Sequence, residues 1–102
     1  MDDVARYARW TAKPGKGDEV AEHLLDAADE LLLEPACELY LVSRQADDPD
    51  MIWVTELWTS KEGLDRVIEQ MRDSDDVTEV MALVENCELI ELDLLGGKAP
   101  PR

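Results

Sequence analysis

Few residues in this chain could carry chemistry. His23 is the only histidine, and Cys37 and Cys87 are the only cysteines. Histidine-cluster metal sites and Ser-His-Asp triads need more partners than this chain offers. No metal ligand set is expected, and His23 reads as a partly exposed surface residue beside acidic neighbours. The cysteines stand far apart, outside any Cys-x-x-Cys, and read as small buried fillers. What remains is Glu56-Leu57-Trp58 in one apolar stretch, with Tyr40 and Arg44 in the stretch before it. Glu56 shares strand parity with Trp58, Val54 and Ile52. Tyr40 and Arg44 share parity with Val42.

A carboxylate on an otherwise apolar face needs a partner, and Arg44 is the expected one. Such a pair is either structural or handles a proton and an anion. Tyr40 offers a hydroxyl to an oxyanion or packs as an aromatic. Trp58 is core or pocket wall. Glu56 and Arg44 are thus the candidate catalytic residues, Tyr40 and Trp58 the candidate substrate-binding ones. All four are expected to meet on the sheet face that carries no helix.

The elements that position them follow from patterning. Residues 4–12 form a strand, stopped by Lys13-Pro14-Gly15. Val20, Leu24, Ala27, Ala28 and Leu31 recur at helical spacing from Gly17 to Leu33, with acids in the first turns and Pro35 beyond the end. Residues 37–45 and 51–58 are strands joined by a turn at Asp47-Asp48-Pro49-Asp50, a hairpin. Thr59 and Glu62 make a capping-box pattern for a helix to about Arg72, with Leu64, Val67, Ile68 and Met71 inward. Ser74 and Asp75 start a short helix bearing Val77, Val80, Met81 and Val84. Residues 87–95 are the last strand. Strand, helix, strand, strand, helix pair, strand is the ferredoxin-like split βαβ order, an α+β fold. Residues 1–95 form the single domain, and 96–102, after Gly96-Gly97, a flexible tail.

The strands carry large apolar groups on both parities: Leu39 and Leu41 against Tyr40 and Val42, Leu89 against Ile90, Leu92 and Leu94. A sheet face left open with such residues is a patch that soluble monomers rarely tolerate. A second copy of the same sheet is the simplest cover, so a sheet-to-sheet homodimer is expected. The second and fourth strands lie at opposite sheet edges in this order, which makes a Cys37–Cys87 disulfide improbable.

The chain has 102 residues, with 25 acidic and 10 basic ones, and a formal net charge of −15. That charge argues against nucleic acid and anionic membranes as partners. It also fits a high-salt habitat. No apolar run is long enough to span a bilayer, and the acidic start has no signal core, so a cytoplasmic location is expected.

Lys13-Pro14-Gly15, Glu34-Pro35-Ala36-Cys37 with Tyr40, and Glu56-Leu57-Trp58 followed by Thr59-Ser60-Lys61-Glu62-Gly63-Leu64 together resemble the antibiotic biosynthesis monooxygenase family, the quinol monooxygenase-like group of dimeric α+β barrels. The resemblance covers about residues 4–94. It implies oxygenation of quinols or polycyclic aromatics such as anthrones, with no cofactor. Many members carry a histidine on the helix nine or ten residues after the tryptophan, which heme-degrading relatives use as an iron ligand. Here Val67 and Ile68 stand there, so the resemblance implies no heme. Ala36 replaces the glycine usual after Pro35. The alternative is a non-enzymatic dimeric barrel module that binds a small apolar ligand.

Overall fold

The computed structural model describes residues 3–72 and 74–98. Its elements are β1 (Val4–Ala12), α1 (Gly17–Glu30), β2 (Cys37–Gln45), β3 (Asp48–Trp58), α2 (Lys61–Met71), α3 (Asp75–Ala82) and β4 (Val84–Asp93). The strands form one antiparallel sheet in the order β2-β3-β1-β4. This is the ferredoxin-like α+β architecture.

The helices cover one face. On β1 the covered residues include Val4, Ala8 and Ala12; on β3 they are Ile52, Val54, Glu56 and Trp58. Val20 and Leu24 of α1 and Val80 of α3 pack with Ala8, Ile52 and Val54. Leu64 and Val67 of α2 pack with Val4, Ala36, Leu31 and Trp58. Alanines on β1 leave room for the helices above the central strands. The opposite face carries Tyr7, Leu41, Ile90 and Leu92, all exposed. Arg9 lies over the Trp53 ring on that face, 5.8 Å from its centroid.

The boundaries shift from those the sequence predicts. Helix α1 ends at Glu30, and Leu31–Leu33 are a turn, because Glu34 N and Leu32 N bond back to Leu31 O and Asp29 O. Strand β3 begins at Asp48 inside the expected turn, and β4 begins at Val84, which therefore belongs to the strand and not to the α3 stripe. Met81 of that stripe is exposed. The α2 cap is Ser60, not Thr59: the Ser60 hydroxyl accepts from Gly63 N at 3.0 Å. Ser74 caps α3 as expected, accepting from Val77 N. Residues 96–98 have no regular structure, and the rest of the expected tail, 99–102, lies outside the described residues.

Two close approaches fix the helices to the sheet. Asp50 at the start of β3 accepts from Gly15 N and Gly17 N, each at 3.0 Å, and so closes the N-terminus of α1. A Cβ at Gly17 would meet Pro49 O at 2.0 Å, so only glycine fits there. On α2, a Cβ at Gly63 would lie 2.6 Å from Ala36 Cβ. The α1–β2 loop is held to α2 by the Arg66 fork on Glu34, both bonds 3.1 Å. Glu34 also accepts from Ala36 N. Those bonds hold its carboxyl below the ordinary range, the Arg66 hydrogen bond foremost.

Candidate active site

Glu56 is the one charged side chain buried in the core among the described residues, 3% exposed. Strand register explains its company. Tyr40 lies directly opposite on β2, Arg6 opposite on β1, and Glu91 opposite Arg6 on β4. One rung thus runs Tyr40, Glu56, Arg6, Glu91 across the four strands, on the helix-covered face.

Arg6 grips Glu56 as a fork: its terminal nitrogen is 3.1 Å from Oε1 and its Nε donates to Oε2 at 3.3 Å. Trp58 Nε1 donates to Oε1 at 2.9 Å. The guanidinium neutralises the carboxylate, and the indole fills a second acceptor site, as a buried carboxylate requires. On the far side of Arg6, Glu91 bonds Lys61 at 2.7 Å, at the start of α2. That contact and Asp65, 3.3 Å away, raise the Lys61 pKa, the Glu91 hydrogen bond foremost.

The Tyr40 hydroxyl makes no hydrogen bond among the described residues. Burial first, then the Glu56 charge, raise its pKa far above the ordinary phenol range, while Arg6 opposes them. Tyr40 is therefore a donor at any working pH. Burial also lifts the Cys37 thiol to about 11, helped by Glu56. Burial raises Cys87 as well. Both are free thiols at opposite sheet edges, as the topology implies, and neither is a thiolate nucleophile. Trp10 Nε1, on the same face of β1, is buried without a partner.

Three of the four residues singled out in the sequence come together: Glu56, Tyr40 and Trp58. They do so on the face packed under the helices, not on the open face expected. The reason is that Glu56 keeps the parity of Ile52 and Val54, which carry α1. Arg44 is not the partner of Glu56. It lies on the same face two rungs beyond Tyr40, opposite Ile52, and bonds Asp18 at the start of α1 at 2.6 Å, with half of its side chain exposed. Arg6 takes its place. Sequence reasoning missed Arg6, although β1 neighbours β3 in a ferredoxin-like sheet and Arg6 has the parity of the buried alanines; Trp10, expected in the core or an interface, packs against the core.

A groove of about 180 Å³ opens between the end of α1 and β2, lined in part by Leu31, Leu32, Cys37 and Tyr40. It gives Tyr40 a route toward solvent. A wider, shallower hollow of about 450 Å³ lies at Ala36, Ser60, Gly63 and Arg66. No helix among the described residues is long and apolar enough to cross a membrane.

The profile of the antibiotic biosynthesis monooxygenase family matches residues 3–82. The chain belongs to that family. No curated protein sequence matches it. Among solved structures, a protein of Chloroflexus aurantiacus J-10-fl is 26% identical, covering 96% of this chain and 98% of its own, with a TM-score of 0.75. SnoaB, a cofactor-independent oxygenase from Streptomyces nogalater, is 18% identical over 95% of this chain and 97% of its own, with a TM-score of 0.82. A Deinococcus radiodurans protein is 19% identical over 97% of each chain, with a TM-score of 0.80. The last two likenesses are of fold.

Proposed function

We propose that this protein is a cofactor-independent monooxygenase for a quinol or polycyclic aromatic substrate, working as a homodimer. The observation that carries the reading is the buried Arg6–Glu56 pair beside the unbonded Tyr40 hydroxyl. The terminal Arg6 nitrogen that Glu56 leaves unused and a neutral phenol on one sheet face are donors of the kind a substrate oxyanion needs. Trp58 holds Glu56, Glu56 orients the Arg6 fork, and Arg6 and Tyr40 face the anion. The cation that the sequence sought in Arg44 is given to Arg6, because Arg44 is engaged by Asp18 at the surface.

The chemistry balances without a further reductant. An anthrone or quinol loses a proton to solvent to give an electron-rich oxyanion, and the proton is taken back when the peroxide forms. That anion reduces dioxygen, and the resulting radical pair joins as a peroxide. Loss of water from an anthrone peroxide leaves the quinone, with one oxygen atom in product and one in water. All four electrons come from the substrate methylene. The protein binds, orients, excludes water and steadies the anion. The surface charge favours a neutral substrate over a carboxylate.

The homodimer rests on the open sheet face. Tyr7, Leu41, Ile90 and Leu92 are exposed there beside half-buried Leu39, Trp53 and Leu57. A second copy of the same face covers them.

One observation favours a second reading, a non-enzymatic barrel that binds a small apolar ligand. Both hydrogen bonds to Glu56 and its ion-pair contact are internal, as a purely structural pair would have them. Aerobic screening of quinols and anthrones with chelator present separates the two. Oxygen uptake above the uncatalysed rate, one dioxygen per anthrone, supports the enzyme. Binding without uptake by any of them supports the module.

A further inference from the structure

Outside the Glu56 rung, His23 of α1 meets Asp76 and Glu79 of α3, with their ligand atoms all within 4.8 Å of one another. We propose that these three side chains form a site for a divalent transition ion of the zinc type, which staples α3 to α1.

The placement is built by the core beneath it. Val20 and Leu24 on α1 pack with Val80 on α3. His23 is three residues after Val20 and one before Leu24. Asp76 and Glu79 are i and i+3 on α3, so they share a helix face, and Glu79 precedes Val80. The triad therefore stands at the rim of the α1–α3 contact, with the imidazole half-buried and both carboxylates exposed.

Three features point to an ion rather than a solvated face. The cluster joins two helices instead of running along one. Its two carboxylates are paired by no Lys or Arg among the described residues, so no cation of the chain occupies them. Its third member is an imidazole, so the donor set is one nitrogen and two oxygens. Hard ions such as magnesium and calcium take oxygen ligands, whereas imidazole selects zinc, nickel or copper. Three protein ligands leave a position for water. A tetrahedral zinc sets ligand atoms about 3.4 Å apart, so a modest turn of the exposed carboxylates closes the site. In a chain of net charge −15, the ion also relieves repulsion between the two acids.

Because His23 is the only histidine, its ring gives one set of NMR signals in a tag-free chain. Chelator-stripped protein titrated with zinc chloride should shift those signals, saturating at one zinc per chain, while magnesium chloride leaves them in place. Asp76→Asn with Glu79→Gln should weaken zinc binding at least tenfold at His23, and zinc should raise the thermal midpoint of the wild-type chain but not of that variant. Both side chains are exposed, so folding is retained. His23 signals that stay unmoved by excess zinc overturn the proposal. So does a shift that the double variant leaves unchanged, which would mark adventitious zinc on the acidic surface.

Discussion

Arg6 and Glu56 face each other across β1 and β3 and are joined by two contacts, 3.1 and 3.3 Å long. The carboxylate is 3% exposed and the guanidinium 17%. The surface pairs Arg9–Glu88, Lys16–Glu19, Arg44–Asp18, Lys61–Asp65, Lys61–Glu91, Arg66–Glu34 and Arg72–Glu69 each have at least one exposed member. The Arg6–Glu56 pair is enclosed, so its two members depend on each other for charge compensation. Trp58 adds a third tie from two residues away on the same strand.

Breaking that pair from one side should be costly. Glu56→Gln leaves the Arg6 charge without its counter-ion, and a loss of about 3 kcal/mol is expected in urea unfolding. Combining it with Arg6→Met should recover much of the loss. Arg44→Ala removes only a surface pair and should cost less than about 1 kcal/mol. A larger effect from Arg44→Ala than from Glu56→Gln would contradict the assignment of partners.

The open face predicts association. Sedimentation of the wild-type chain should give about twice 11.5 kDa. Ile90→Lys with Leu41→Glu places a charge on each edge strand of that face, at the two ends of the rung through Tyr7 and Thr55, and should yield a folded monomer. A wild-type chain that stays monomeric and soluble would remove the basis for the dimer.

The thiols predict an alkaline signature. Burial raises the Cys37 thiol from its ordinary 9.0 to about 11 in the folded chain. The folded state then holds the proton more tightly between those values. This contribution to stability is complete below pH 9 and is lost as pH rises through 11. The wild-type chain should therefore lose stability over that window, and Cys37→Ala should flatten the loss. At pH 8 the thiolate fraction is roughly 10²-fold below that of an unshifted thiol. Alkylation followed by mass spectrometry should show correspondingly slow labelling of Cys37 until the chain is unfolded.

Helix α2 predicts a contrast between neighbours. Ser60→Ala removes the hydroxyl that accepts from Gly63 N and should cost about 1 kcal/mol. Thr59→Ala should cost less, because its side chain makes no bond in the cap. Thermal unfolding of the two variants decides.

Much of this arrangement was legible in the sequence. The apolar runs 37–45 and 51–58 on either side of the polar turn Asp47-Asp48-Pro49-Asp50 placed the hairpin, and Pro35 and the paired glycines bounded their neighbours. The order of elements then implied the sheet, with the cysteines on opposite edges. The face of the site was not legible, because β3 is apolar on both parities and periodicity cannot say which side the helices take. The small residues Ala8 and Ala12 were the available sign, since only a covered face has use for them. Arg6 escaped for a related reason. Its role depends on the β1–β3 register, a contact between segments 50 residues apart, whereas Arg44 lay in the adjacent hairpin and looked nearer. Ser60 was passed over because Thr59 has Glu62 three residues on, as a capping box requires, whereas Ser60 has Gly63 there. The backbone of Ser60, extended at φ −159° and ψ 156°, decides between them.

The central claim is that Arg6 and Tyr40 steady an aromatic oxyanion, and anaerobic titration with an anthrone or quinol reads it most directly, since without dioxygen the bound ligand accumulates. Tyr40→Phe keeps the ring and its packing but deletes the donor, a change expected to lower aerobic turnover by about 10²-fold. The absorption spectrum should show the ligand bound as its anion on the wild-type chain at a pH where the free compound is neutral. In Tyr40→Phe that anion band should shrink while binding persists. A bound ligand whose spectrum stays that of the neutral compound, identical in wild type and Tyr40→Phe, would contradict the account.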